Sequence, residues 1–271
     1  MTAAPASAGG DAGAHKHDYS IGSTYVKKLS DFAGSQTLVF DTGPLISLTT
    51  NNLLSTLERL KEHYSGKFVI PESVKSELVD EPLKTKKFMF EAMQIQRLIS
   101  TGVLEVIEDS DTKELTLEIL NMANNSFAAK GRSVHIVQYG EMASIAAAQL
   151  LDADALVMDE RITRELMEHP QHIAELMERR LHTKVMVNNE NLALLKKYSM
   201  KLRILRSAEL VTVAFEFGLL DRYIATGEEQ AIPEVRSKLL ESVLWGLKLN
   251  GCAISNREIE QMIALSKISK T

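Results

Sequence analysis

Four acidic residues in this 271-residue chain are placed where they could do chemistry together: Asp41, Glu77, Glu141 and Asp159. Asp41 and Asp159 each follow a short apolar run, Leu38-Val39-Phe40 and Ala155-Leu156-Val157-Met158. Such runs read as buried strands, and in a parallel sheet both acids would reach the carboxyl edge, where open α/β sheets bind ligands. Glu77 falls in the second turn of a helix that Pro71 opens after the strand Phe68-Val69-Ile70. Glu141 falls in the first turn of an alanine-rich helix opened by Gly140. Helix N-termini that follow strands lie at the same edge, so the four carboxylates are expected to converge. Four ionised carboxylates in one cleft repel each other, and some would have raised pKa values. Mg²⁺ or Mn²⁺ relieves this, because hard cations prefer oxygen ligands. Such a site is suited to activating water and clamping a phosphodiester for in-line displacement. Taken singly, Glu77 or Glu141 reads as a helix cap or a partner of the helix dipole. Asp41 is harder to dismiss, since a carboxylate against a buried strand needs partners or a cation.

The elements that must position these residues alternate in type. After the strand 37–41 and its Gly-Pro turn comes a helical stretch through Leu53, Leu54, Leu57 and Leu60, stopped by Gly66. Residues 88–100 read as an amphipathic helix, 103–107 as a strand and 111–123 as a helix. A polar loop through Asn124, Asn125, Lys130, Gly131 and Arg132 is expected next, then the helix 141–151 and the strand 155–158. Residues 160–197 read as helices broken at Pro170, leading to the strand 202–205. Alternation of this kind implies βαβ units and a three-layer α/β/α domain around a central parallel sheet. Residues 234–265 read as a helical hairpin, with Gly251 as a stop and Ser255-Asn256-Arg257-Glu258 as a capping box. Its apolar face, with Trp245, needs a partner surface: the core, or the interface of a homodimer. The expected division is a disordered tail over 1–20, a core domain over 21–225 and the hairpin over 226–271.

Composition narrows the class. A net charge of −5 argues against broad electrostatic binding to nucleic acid, while leaving room for a local basic patch. The single Cys252 excludes an internal disulfide and a cysteine zinc site and suggests a reducing compartment. No apolar run reaches transmembrane length, and the leading residues lack a secretory pattern. A cytoplasmic protein without a membrane association is expected.

The ordered motifs LVFDTGPLISL, VIPESVKSELVD and YGEMASIAAAQLLDADALVMDE resemble the PIN-domain nucleases. The resemblance is to the branch whose third acid appears as Gly-Glu before an alanine-rich helix, and it extends over roughly residues 37–265. It implies a PIN-like α/β/α domain with a C-terminal helical hairpin. It also implies a metal-dependent endoribonuclease acting on single-stranded or structured RNA, with Asp41, Glu77, Glu141 and Asp159 as its acidic quartet. Thr42 would be the small hydroxyl residue beside the first acid. Residues 165–199 are longer than the family's usual segment and read as an insertion, and position 160 is Glu where the family usually has Asp. The cations Arg179, Arg180, Lys184, Lys196, Lys197, Lys201 and Arg203, in or just after that insertion, read first as a solvated helix face.

Arg132, Arg161 and Arg164 are candidates for substrate contact, with helix-surface salt bridges as the alternative. Asp41-Thr42-Gly43 also matches the aspartic-protease triplet, but that enzyme needs an all-β fold and a second such aspartate. His169, His172 and His182 read as ordinary histidines rather than zinc ligands. Two other roles share the resemblance: a non-catalytic module that binds RNA or protein, and a toxin held by an antitoxin protein.

Overall fold

The computed structural model describes residues 26–27, 36–199, 202–225, 227, 232 and 234–268. The tail expected over 1–20 and Lys201 lie outside these residues. Six parallel strands form the central sheet: β1 (Val26–Lys27), β2 (Thr37–Phe40), β3 (Lys67–Pro71), β4 (Glu105–Ile107), β7 (Ala155–Val157) and β9 (Ile204–Leu205). Their order is β1-β4-β3-β2-β7-β9. From β2 the chain moves outward to β3 on one side, while β7 pairs with β2 on the other. The carboxyl ends of β2 and β7 therefore flank the point where the strand order reverses, the usual binding crevice of an open α/β sheet.

Side-chain alternation assigns each strand residue to one of two cores. Leu38, Phe40, Phe68, Ile70, Val106, Ala155 and Val157 face one layer. That layer comprises α1 (Thr42–Thr50), α2 (Leu54–His63), α5 (Met89–Ser100) and α11 (Ser207–Glu216), with the C-terminal helices α12 (Val235–Leu249) and α13 (Asn256–Ile268). Val39, Val69, Ile107, Leu156 and Met158 face the opposite layer. It is built from α6 (Asp109–Asn124), α7 (Tyr139–Leu150), α8 (Arg161–Glu168), α9 (Pro170–Leu181) and α10 (Asn189–Ser199). The three-layer α/β/α arrangement expected from the alternating pattern is the one observed.

Three segments differ from the reading of the sequence. Residues 21–36 carry no strand pattern, yet Val26–Lys27 pairs in parallel with Val106–Ile107. The expected polar loop around 124–132 contains β5 (Phe127–Ala129) and β6 (Arg132–Ser133). Within the stretch read as all-helical, Val185–Val187 is a strand, β8, antiparallel to β5. β5 and β6 are joined by Lys130-Gly131, both at positive φ, the two-residue turn that suits the twist of a hairpin. These strands are two or three residues long, so each is too short to carry a period-2 signal of its own.

The C-terminal hairpin docks on the core of its own chain. Leu240, Leu244 and Leu247 are fully buried in the same cluster as the β2 side chains, each contributing about 1.5–3 kcal/mol by burial. The capping box at the start of α13 is formed: Glu258 N–H donates to Ser255 Oγ at 3.2 Å, and Ser255 N–H donates to Glu258 Oε2 at 2.8 Å. Ser255→Ala is expected to lower stability by about 1 kcal/mol, read from the denaturant midpoint. Among the described residues, no helix is long and apolar enough to cross a membrane.

Candidate functional site

Strand register decides where the two strand-end aspartates point. Phe40 pairs with Val157, so Asp41 stands level with Met158, and Asp159 lies one residue further. A one-residue offset reverses the face a side chain takes. Asp41 accordingly turns to the α7 layer, where Ser144 Oγ donates to its Oδ1 at 3.2 Å. Asp159 turns to the opposite layer. There its carboxylate accepts from Ser47 Oγ, Ser207 N–H and Ser207 Oγ, all at 2.8 Å. Asp159 is 2% exposed and ties α1 and α11 to the end of β7. Of the expected quartet, Asp159 has its carboxylate engaged by α1 and α11, and it stands across Gly43 from Asp41: a Cβ on that glycine would lie 3.4 Å from Asp159 Cβ and 3.9 Å from Asp41 Oδ2.

One residue later the chain returns to the Asp41 side. Glu160 caps α8 by accepting from Thr163 N–H at 2.6 Å, and Thr163 Oγ1 donates to Glu141 Oε2 at 2.8 Å. Glu141 and Glu160 thus meet around one threonine. Glu141 is the third helical residue of α7 and closes its capping box, accepting from Gln138 N–H at 3.1 Å. Glu77 lies in a π-helical turn, Ser76–Asp80, a local widening found often at functional positions. Thr42 Oγ1 donates to Glu77 Oε2 at 2.9 Å. A Cβ on Gly140 would stand 3.6 Å from that same oxygen, an ordinary contact distance, so Glu77 lies beside the start of α7.

Electrostatics couples these groups. Asp41, 4% exposed, is pushed up to about 6, mainly by burial, with the Glu77 charge adding to it and Ser144 and the nearby amides opposing it. Glu141 is pushed up to about 7, again chiefly by burial, with Glu160 and Asp41 adding repulsion. Asp41, Glu77, Glu141 and Glu160 therefore share one acidic crevice, and among the described residues none of the four is in a salt bridge. Cys252 sits beside Asp159 on the other face, where burial and that charge hold its thiol up at about 12, far from a reactive thiolate.

The arginines are placed less closely. Arg132 is exposed on β6. Arg161 opens α8 directly after Glu160 and pairs with Glu165 at 3.8 Å, while Arg164 pairs with Glu168 at 3.8 Å. Both pairs are i,i+4 contacts on one helix, the alternative foreseen for them. Ser144 and Thr163 were not singled out by motif. Their one sequence signal is that each stands three residues after an acid of the crevice, Glu141 and Glu160.

The crevice offers only carboxylate and hydroxyl oxygens, the donor set that hard divalent cations prefer. Its raised pKa values mark buried negative charge that a cation would neutralise, so the donor chemistry fits Mg²⁺ or Mn²⁺. Its spacing is open: among the described residues, no three His, Cys, Asp or Glu are grouped closely enough to hold a metal ion. No match was found among curated proteins or among solved structures. A family model described as a PIN domain matches residues 37–171, the stretch that holds β2, α7, β7 and all of the crevice acids. PIN domains are a nuclease-type family whose members generally use divalent metals. Through residues 37–171, about half its length, this chain belongs to the PIN-domain family.

Proposed function

We propose that the protein is a metal-dependent endoribonuclease whose working acids are Asp41, Glu77, Glu141 and Glu160, with Asp159 as the anchor beneath them. The observation that carries this reading is the uncompensated crevice at the switch point of a PIN domain, with Asp41 and Glu141 raised toward neutrality. Asp41, Glu77, Glu141 and Glu160 would hold the divalent cation, which when bound supplies Lewis-acid charge and a nucleophile from water. The chain's own contribution is orientation. Thr42 holds Glu77, Ser144 holds Asp41, and Thr163 holds Glu141 and Glu160 at once. Such supporting hydrogen bonds fix which oxygens face the substrate, and their loss typically costs roughly 10–100-fold in metal affinity or activity. Arg161, beside Glu160, is the proposed phosphate contact; Arg132 and Arg164 are weaker candidates by their placement.

A module that binds RNA without cutting it is favoured by one observation, the open spacing of the acids. Incubation with mixed structured RNAs separates the two. Cutting with Mn²⁺ or Mg²⁺ that stops on adding EDTA supports the nuclease. Cutting that survives EDTA contradicts the metal-dependent reading, and RNA retention without cutting in either metal supports the module.

A further inference from the structure

We infer that the exposed turn over residues 84–90, together with the first turns of α5, is a docking platform for an unpaired RNA strand. The choice of RNA rests on the endoribonuclease reading; the place rests on the fold. From the end of β3, α3 (Glu72–Lys75), the π-helical turn at Ser76–Asp80 and α4 (Glu81–Leu83) run on as one helical stretch. α5 then packs back against that turn and against α1, and its carboxyl end leads within a few residues into β4. β3 and β4 are parallel, so β4 starts at the amino edge of the sheet, and α5, about 18 Å long, starts near the carboxyl edge. The turn therefore lies on the crevice side, with about 10 Å of helical rise between Glu77 and Lys84. That is about one Debye length at 0.1 M salt, so a phosphate held at the turn is largely screened from the crevice acids.

The chemistry of the turn fits such a strand. Lys84, Lys86 and Lys87 put three cations within four residues of a chain whose net charge is −5. Phe88, Phe90 and Met93 are 53%, 71% and 58% exposed, a patch of large apolar side chains facing water. Phe90 and Met93, three apart, share a face of α5. Phe88 stands at φ +61, uncommon for a bulky residue, and Lys87 Nζ lies 4.6 Å from its ring centroid. A ring for a base and an ammonium for a phosphate are thus side by side, the pairing that holds single strands without sequence preference. The acids of the segment are Glu81, paired with Lys84 at 2.7 Å, and Glu91 in the first turn of α5; Lys86 and Lys87 are assigned the phosphates. Duplex RNA keeps its base faces stacked and offers the rings nothing. A protein partner fits less well, since lysine is depleted from the cores of protein interfaces. So does a membrane surface, because α5 turns its apolar stripe of Ala92, Ile95, Leu98 and Ile99 into the core rather than outward.

Fluorescence anisotropy of the whole chain in EDTA, with a labelled oligouridylate of about twelve nucleotides, reads docking apart from cleavage. The single strand is expected to bind, and its duplex with oligoadenylate to bind roughly tenfold more weakly or worse. Phosphatidylserine vesicles are expected not to retain the protein. Phe90→Ala and Phe88→Gly should each weaken the single strand roughly tenfold. Glycine accepts the positive φ at position 88, so that variant keeps or raises the thermal midpoint. Phe90→Trp should bind as the unaltered chain does and Phe90→Leu should not, because stacking needs a ring rather than apolar area. Lys86→Gln with Lys87→Gln should lower the slope of log affinity against log salt by about 1.4, at about 0.7 per phosphate contact on a single strand. No binding up to about 1 mM would overturn the proposal. So would duplex or vesicles bound as tightly as the single strand, ring variants that bind unchanged, or Phe90→Leu matching Phe90→Trp. Binding that follows these variants in a chain that never cuts RNA with Mn²⁺ would overturn the nuclease reading alone.

Discussion

Asp41→Asn is expected to yield a protein that is more stable than the unaltered chain in the absence of metal and yet cuts RNA at least about a hundredfold more slowly. Both effects come from one buried charge. In the folded chain the Asp41 carboxyl is raised from 3.8 to about 6, while in the unfolded chain it titrates near its ordinary value. The folded state therefore holds an extra proton between these values. The stabilisation linked to this group is fully present below pH 4 and is lost as pH rises through about 6. At pH 7 ionised Asp41 costs on the order of 3 kcal/mol, two pKa units at 1.36 each. Asparagine keeps the shape and still accepts from Ser144, but carries no charge to bury. A rise of several degrees in the metal-free midpoint is expected at pH 7, shrinking at pH 4. Glu141 acts in the same direction between 4.5 and about 7, with a smaller effect because it is partly exposed. Thermal unfolding at both pH values checks the stability half, and an RNA cleavage time course checks the other.

The second large effect concerns Asp159, and its direction is opposite. Asp159→Ala strips the acceptor from Ser47 Oγ, Ser207 N–H and Ser207 Oγ in a buried site. Each orphaned donor costs about 1–3 kcal/mol, so a loss of about 3–5 kcal/mol is expected, comparable to breaking a buried charge pair. The loosened junction between α1, α11 and β7 also carries the hairpin, since Ala253 N–H donates to the Asp159 carbonyl at 3.3 Å. Glu160→Gln, by contrast, should lose no more than about 1 kcal/mol through its weaker cap while cutting activity falls sharply. Urea unfolding and cleavage rates measured on both variants separate anchor from working acid. An Asp159→Ala protein of unchanged stability that has lost cleavage would reverse the two assignments.

The sheet and the place of Asp41 at the end of β2 were legible because local signals agreed: apolar runs of strand length, Gly-Pro after the first, and helices between them. The hairpin was legible for the same reason, its capping box lying within four consecutive residues. The direction of the Asp159 side chain was not legible, for a physical reason that sequence hides. Whether an acid one or two residues past a strand faces one layer or the other depends on register, and register is a property of the paired strands. Phe40 opposite Val157 could not be read from either strand alone. The hydroxyl partners Ser144, Thr163 and Ser207 stand far in sequence from at least one of the acids they hold. The small β6-β5-β8 sheet was missed because its strands are defined by pairing rather than by pattern.

Mn²⁺-dependent thermal unfolding at pH 7 tests whether the Asp41 crevice holds a divalent cation, without any assumption about substrate. A ligand that binds only the folded chain raises the midpoint with concentration. A rise is expected for the unaltered chain and is lost in Asp41→Asn, even though that variant starts from the higher metal-free midpoint. An equal rise in both proteins, or no rise in the unaltered chain, would contradict it.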